Sequence, residues 1–115
     1  MYLDQATINT LIDVMSMERF MVLKKTLHDT LCSDLNELCD QELDCKKVRE
    51  TAHRFRGMAA NMGLTALAEK ASEIEETAKS NGDTLELRQS LKQLTDESLM
   101  ELDDYCGGFK GSEFH

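Results

Sequence analysis

The chain contains no proline and no tryptophan among its 115 residues. The residue that locks φ and removes a backbone donor is therefore missing, and nothing forces a helix to stop. Positive charge is in short supply: 13 Lys and Arg stand against 22 Asp and Glu, for a formal net charge of −9. That balance opposes binding to nucleic acids or acidic lipid surfaces. There is no run of about 18 apolar residues to span a membrane. Nor is there a basic start followed by an apolar stretch and a small-residue cleavage site. No membrane insertion is expected, and the protein is placed in the cytoplasm. A nucleotide-binding glycine loop and a carboxylate cluster suited to magnesium are also missing. What remains is 41% hydrophobic and 30% charged, enough for one hydrophobic core and too short for a second.

The apolar residues fall into helical stripes. Ile8, Leu11, Ile12 and Met15 recur at i, i+3, i+4 and i+7 and predict a short helix over Thr7 to Met15, which must pack on a larger body. Ser16 can cap the next helix, with Glu18 in its first turn to suit the dipole. Phe20, Leu23, Leu27, Leu31, Leu35 and Leu38 carry that helix from Met17 to Cys39. Val48, Ala52, Phe55, Ala59 and Met62 predict a third from Glu42 to Met62, stopped by Gly63. Leu64, Leu67, Ala68, Ala71, Ile74 and Ala78 predict a fourth, ended by Asn81 and Gly82, which accept left-handed backbone. Asp83, with Glu86 three residues on, predicts a capping box for a fifth. Its stripe of Leu87, Leu91, Leu94, Leu99 and Leu102 slips in spacing between Leu94 and Leu99.

The expected fold is all-α, an antiparallel up-down-up-down four-helix bundle with a short additional N-terminal helix. Residues 1–106 form this domain. The Gly107-Gly108 pair breaks the pattern, so 107–115 are expected as a flexible tail. Its Gly111-Ser112-Glu113-Phe114-His115 ending looks like a cloning scar leading into a histidine tag.

Cys32, Cys39, Cys45 and Cys106 lack CxxC spacing and sit inside helical patterns, where reduced cysteine behaves as a small hydrophobe. His28 and Cys32 share a helix face at i, i+4. No further pair completes a tetrahedral set, and no metal is expected.

On a wheel of the third helix, His53 lies about 140° from Val48 and so faces away from the core stripe. Gly57, one turn on, and Ala60, at i+7, keep bulk away from the imidazole. An interior helix glycine costs about 1 kcal/mol relative to alanine, and close approach of another surface gives that cost a reason. Lys46, Lys47, Arg49, Arg54 and Arg56 lie within eleven positions with one acid, Glu50, a local reversal of sign. Lys46, Arg49 and Arg56 recur at helical spacing beside His53, where cations can steady phosphoryl oxygens or an acidic partner pocket.

Residues 52–64, Ala52-His53-Arg54-Phe55-Arg56-Gly57-Met58-Ala59-Ala60-Asn61-Met62-Gly63-Leu64, resemble the signature of histidine-containing phosphotransfer (HPt) domains. That pattern is a histidine with an apolar residue two on, Lys or Arg three on, glycine four on, and a closing apolar-glycine pair. His53, Phe55, Arg56, Gly57, Met62 and Gly63 meet it. Leu67-Ala68-Glu69-Lys70-Ala71 and Ile74-Glu75 are similar to the helix that follows in the family, and Leu3-Asp4 with Leu11 extend the likeness weakly to the start. Ala59 departs from it, since many members carry serine there; a small residue is kept and a hydroxyl is lost.

The resemblance implies that His53 accepts a phosphoryl group from the aspartate of one receiver domain and donates it to another. The implied partners are receiver domains of a hybrid sensor kinase and of a response regulator. Arg49, Arg56, Gly57, Ala60 and Lys46 are the expected docking and supporting residues. Neutral imidazole is a competent nucleophile near neutral pH, and in-line transfer depends mainly on positioning and charge stabilisation. The chain is expected to be a monomeric phosphocarrier rather than an enzyme, without a cofactor of its own, the receiver supplying magnesium. One alternative is a helical-bundle adaptor that never carries phosphate; the complete His53, Arg56 and Gly57 context speaks against it. A metal-binding bundle is opposed by the lack of Glu-x-x-His pairs on two helices.

Overall fold

A computed structural model describes residues 3–40 and 42–114, with side chains through Cys106. Four helices account for nearly all of them: α1 (Gln5–Leu38), α2 (Cys45–Asn61), α3 (Thr65–Lys79) and α4 (Leu85–Phe114). No strand occurs among the described residues. Short connections make neighbours antiparallel. α2 and α3 form the most intimate pair, α4 packs on α3, and α1 closes the bundle against α2 and α4.

The expected leading helix is present but joined end to end with its successor. α1 is broken at Ser16, whose φ of 78° and ψ of 157° lie in a region ordinarily reserved for glycine. Ser16 Oγ accepts the Arg19 N–H at 3.4 Å, so the serine caps 17–38 as its chemistry predicts. The start falls earlier than the apolar pattern indicates. Asp4 caps α1, its carboxylate accepting the Thr7 N–H at 3.4 Å and the Thr7 hydroxyl at 2.7 Å.

α2 begins at Cys45 rather than Glu42, because Asp44 is the cap: its Oδ1 accepts the Lys47 N–H at 2.8 Å. At the end of α2, Gly63 takes φ 76°. The Leu64 N–H reaches Ala59 O at 2.8 Å and the Gly63 N–H reaches Ala60 O at 3.1 Å, a Schellman closure. Gly63 O also accepts the Asp4 N–H at 2.7 Å. A Cβ on Gly63 would lie 3.0 Å from Asp4 O, so glycine serves both the turn and this close approach. Asn81, at φ 57°, closes α3 the same way, with the Gly82 N–H on Thr77 O at 2.9 Å.

The expected Asp83–Glu86 capping box does not form. Thr84 O already accepts the Arg88 N–H at 2.8 Å, which makes Thr84 the first residue of the turn. Asp83 instead accepts from the Leu85 N–H at 3.0 Å. The slip between Leu94 and Leu99 disappears on the folded stripe, where Leu91, Thr95, Ser98, Leu102 and Cys106 are all buried. Two polar residues occupy core positions that an apolar count passes over. α4 also continues in helical backbone to Phe114 instead of ending before Gly107. Extending an existing helix needs no new nucleus, so two glycines weaken it without stopping it. The side chains of the proposed tail, and His115, lie outside the described residues.

The core gathers Ile8, Phe20, Leu31, Leu38, Val48, Phe55, Leu64, Leu67, Ile74, Leu91 and Leu102, all at 2% exposure or less. Leu23, expected on the core stripe, is 37% exposed. It lines a shallow groove with Leu11, Met58 and Met62. Cys39 is likewise exposed, whereas Cys106 is buried. Arg88 is buried and closes the end of α1, donating to Leu38 O at 2.6 Å and Asp40 O at 3.0 Å. A guanidinium is suited to the negative end of a helix.

Candidate functional site

The apolar stripe of α2 decides which of its residues reach solvent. Val48, Ala52, Phe55 and Ala59 are buried, and this turns His53, Gly57 and Ala60 outward. The His53 side chain is 63% exposed. A Cβ built on Gly57 meets nothing within 4 Å, so the turn after the histidine presents bare backbone to an approaching surface.

The imidazole is nonetheless held. Its Nδ1 lies 2.9 Å from Oε2 of Glu75, on α3. Glu75 is 9% exposed at its side chain, and Arg56 Nε lies 3.6 Å from its other oxygen. Arg56 Nη2 also lies 3.1 Å from Nδ1. One ring nitrogen cannot donate to Glu75 and accept from Arg56 at once. The carboxylate can only accept, and its contact is the shorter, which assigns the proton to Nδ1. Nε2 is left with its lone pair, as a nucleophile requires.

The basic cluster of α2 divides into separate tasks. Arg54 leaves the site: its Nη2 donates to Asp34 at 2.7 Å, with Glu37 at 3.5 Å, tying α2 to α1. The buried carboxylate beside it pushes the Arg54 guanidinium further above its ordinary range. Arg56 turns to Glu75. Arg49 lines a cleft with Glu50, His53, Glu75 and Lys79. Lys46 is exposed two turns before His53 and does not reach that cleft.

Glu75 and Lys79 are the two site residues that sequence reasoning missed. A signal for Glu75 existed, since it falls among Ala71, Ile74 and Ala78 on the buried face of α3. A carboxylate on such a face needs a partner, and the partner is on another helix. Among the described residues no group of three His, Cys, Asp or Glu could hold a metal ion. His28 and Cys32 do meet, at 3.8 Å, without a third ligand.

The Hpt domain family matches residues 22–105. The fold is similar to the crystal structure of histidine-containing phosphotransfer protein B from Pseudomonas aeruginosa, with a TM-score of 0.65 and 22% identity over 92% of this chain and 95% of that one. Comparison with curated proteins gives no match. With the family match spanning most of its length, the chain belongs to the Hpt domain family, the histidine phosphotransfer modules of phosphorelays.

Proposed function

We propose that His53 is the residue on which this module carries the phosphoryl group, and that Nε2 is the atom. The observation that carries the reading is the 2.9 Å contact between Nδ1 and the buried Glu75 carboxylate. It supports the Nδ1–H tautomer, which keeps the lone pair on Nε2 of a side chain that is 63% exposed. In the forward step the Nε2 lone pair attacks phosphorus in line, the P–O bond to the receiver aspartate breaks, and the electron pair leaves on the carboxylate. The Nδ1 proton stays in its hydrogen bond, so the phosphorylated ring is cationic and Glu75 compensates it. In the return step a carboxylate oxygen of the second receiver's aspartate attacks phosphorus in line, the new P–O bond forms, the N–P bond breaks and its electron pair goes back to Nε2.

The module acts as a monomeric phosphocarrier in the cytoplasm, between receiver domains of a hybrid sensor kinase and of a response regulator. It brings no cofactor, and the receiver supplies the aspartate, magnesium and most of the charge stabilisation. Gly57 and Ala60 give the receiver room to approach, while Lys46 contributes long-range attraction for its acidic pocket. Incubation with a phosphorylated receiver and intact-mass measurement tests the reading. Wild type gains one acid-labile, base-stable phosphoryl group. Persistence of that label in His53→Gln, or its relocation to His28, overturns it.

A further inference from the structure

Residues that face each other across an antiparallel helix pair run in opposite directions along the chain. His53 on α2 meets Glu75 on α3. One turn back from His53 is Arg49, and one turn on from Glu75 is Lys79. The two cations therefore stand opposite each other at one level of the bundle, about 6 Å along the axis from the imidazole. Both line the same cleft as His53. Arg56 lies on the other side of His53, against Nδ1 and Glu75.

The cations also differ in how far they are committed. Arg49 is exposed and forms no hydrogen bond or ion pair among the described residues. Among the described residues Lys79 is half exposed and has only a 3.3 Å contact with exposed Glu76 three residues back, a weak, solvent-screened kind of pair. Either side chain can swing toward Nε2 with little loss. Arg56 cannot do so without leaving a buried carboxylate short of its countercharge.

We propose that Arg49 and Lys79 form a two-sided cationic clamp on the phosphoryl oxygens. Arg56, the cation that the sequence motif singles out, serves Glu75 instead. This rests on His53 Nε2 as the acceptor, and the test keeps the two ideas separable.

Phosphoramidate loads the protein without a receiver. The N–P bond forms at Nε2 while the donor's P–N bond breaks and its electron pair leaves on ammonia. Loading is followed by intact mass, and the bound group is titrated by phosphorus NMR. His53→Gln takes no label if the acceptor is right; a fully labelled His53→Gln overturns both ideas. In the Arg49→Ala/Lys79→Ala double variant, loading slows about fivefold and the titration midpoint rises by roughly half a pH unit, because lost cations no longer favour the dianion. The swapped pair Arg49→Lys/Lys79→Arg keeps both values near wild type. Arg56→Ala moves the midpoint less than the double variant. A double variant that titrates like wild type while His53 labels normally overturns the clamp alone, as does a larger shift from Arg56→Ala.

Discussion

The imidazole of His53 is gripped at one nitrogen and makes no hydrogen bond at the other among the described residues, and the grip comes from a carboxylate that folding has removed from water. Replacing Glu75 separates its two contributions. Glu75→Gln keeps a carbonyl oxygen for the Nδ1 proton and loses the charge, so phosphotransfer should slow about tenfold. Glu75→Ala loses orientation as well and should slow it about 100-fold. Single-turnover transfer to a receiver measures both; equal rates for wild type and Glu75→Ala would leave the carboxylate with no part in positioning. Ser98 is the opposite kind of residue, fully buried with a hydroxyl that finds no partner among the described residues. An unpaired buried hydroxyl costs about 1–3 kcal/mol, part of which alanine recovers, and alanine is also the better helix former. Ser98→Ala should therefore raise stability by about 1 kcal/mol, read from urea denaturation.

At the scale of the element, α2 combines a sealed face with an open one. Val48, Ala52, Phe55 and Ala59 hold it in the core, while its outer line carries His53, Gly57 and Ala60. Folding and function should respond oppositely at Gly57. An added Cβ meets open space, so Gly57→Ala should stabilise the protein by roughly 0.5–1 kcal/mol. Gly57→Leu should also fold, yet its side chain rises beside His53 and holds a receiver off the imidazole. Reacting atoms must come within about 3–3.5 Å, so transfer should fall by orders of magnitude. Thermal melts and transfer kinetics on the two variants decide it, and wild-type transfer by Gly57→Leu would show that the bare line is not a docking surface.

For the molecule as a whole, α1 must be held against the α2–α3 pair that carries the site. Asp34 and Arg54 make that tie, and their burial is unequal: side-chain exposure is 5% for the aspartate and 53% for the arginine. Removing the arginine strands a buried carboxylate, a loss of about 3 kcal/mol. Removing the aspartate leaves a guanidinium that can turn to water and to Glu37, a loss of about 1 kcal/mol. Arg54→Ala should accordingly destabilise more than Asp34→Ala in denaturant titrations, with transfer per folded molecule little changed in either. Equal losses would mean that the pair is not buried in the way described.

Much of this was legible in the chain itself. Apolar periodicity located the four long helices, and the preference of glycine and asparagine for left-handed backbone located the stops at Gly63 and Asn81, because both signals are local. The outward direction of His53, Gly57 and Ala60 follows from the same periodicity. Helix starts at Asp4, Asp44 and Thr84 were missed because a cap depends on one hydrogen bond rather than on a repeating pattern. The kink at Ser16 joins two helices that sequence separates, and the polar core positions Thr95 and Ser98 interrupt a stripe that is continuous in space. Above all, the chain shows five cations near one histidine and cannot assign them. Only packing decides that Arg54 belongs to Asp34, that Arg56 belongs to Glu75, and that Lys79 comes to stand across from Arg49. A carboxylate 22 residues away in sequence becomes the hydrogen-bond partner of the imidazole because two antiparallel helices bury it there.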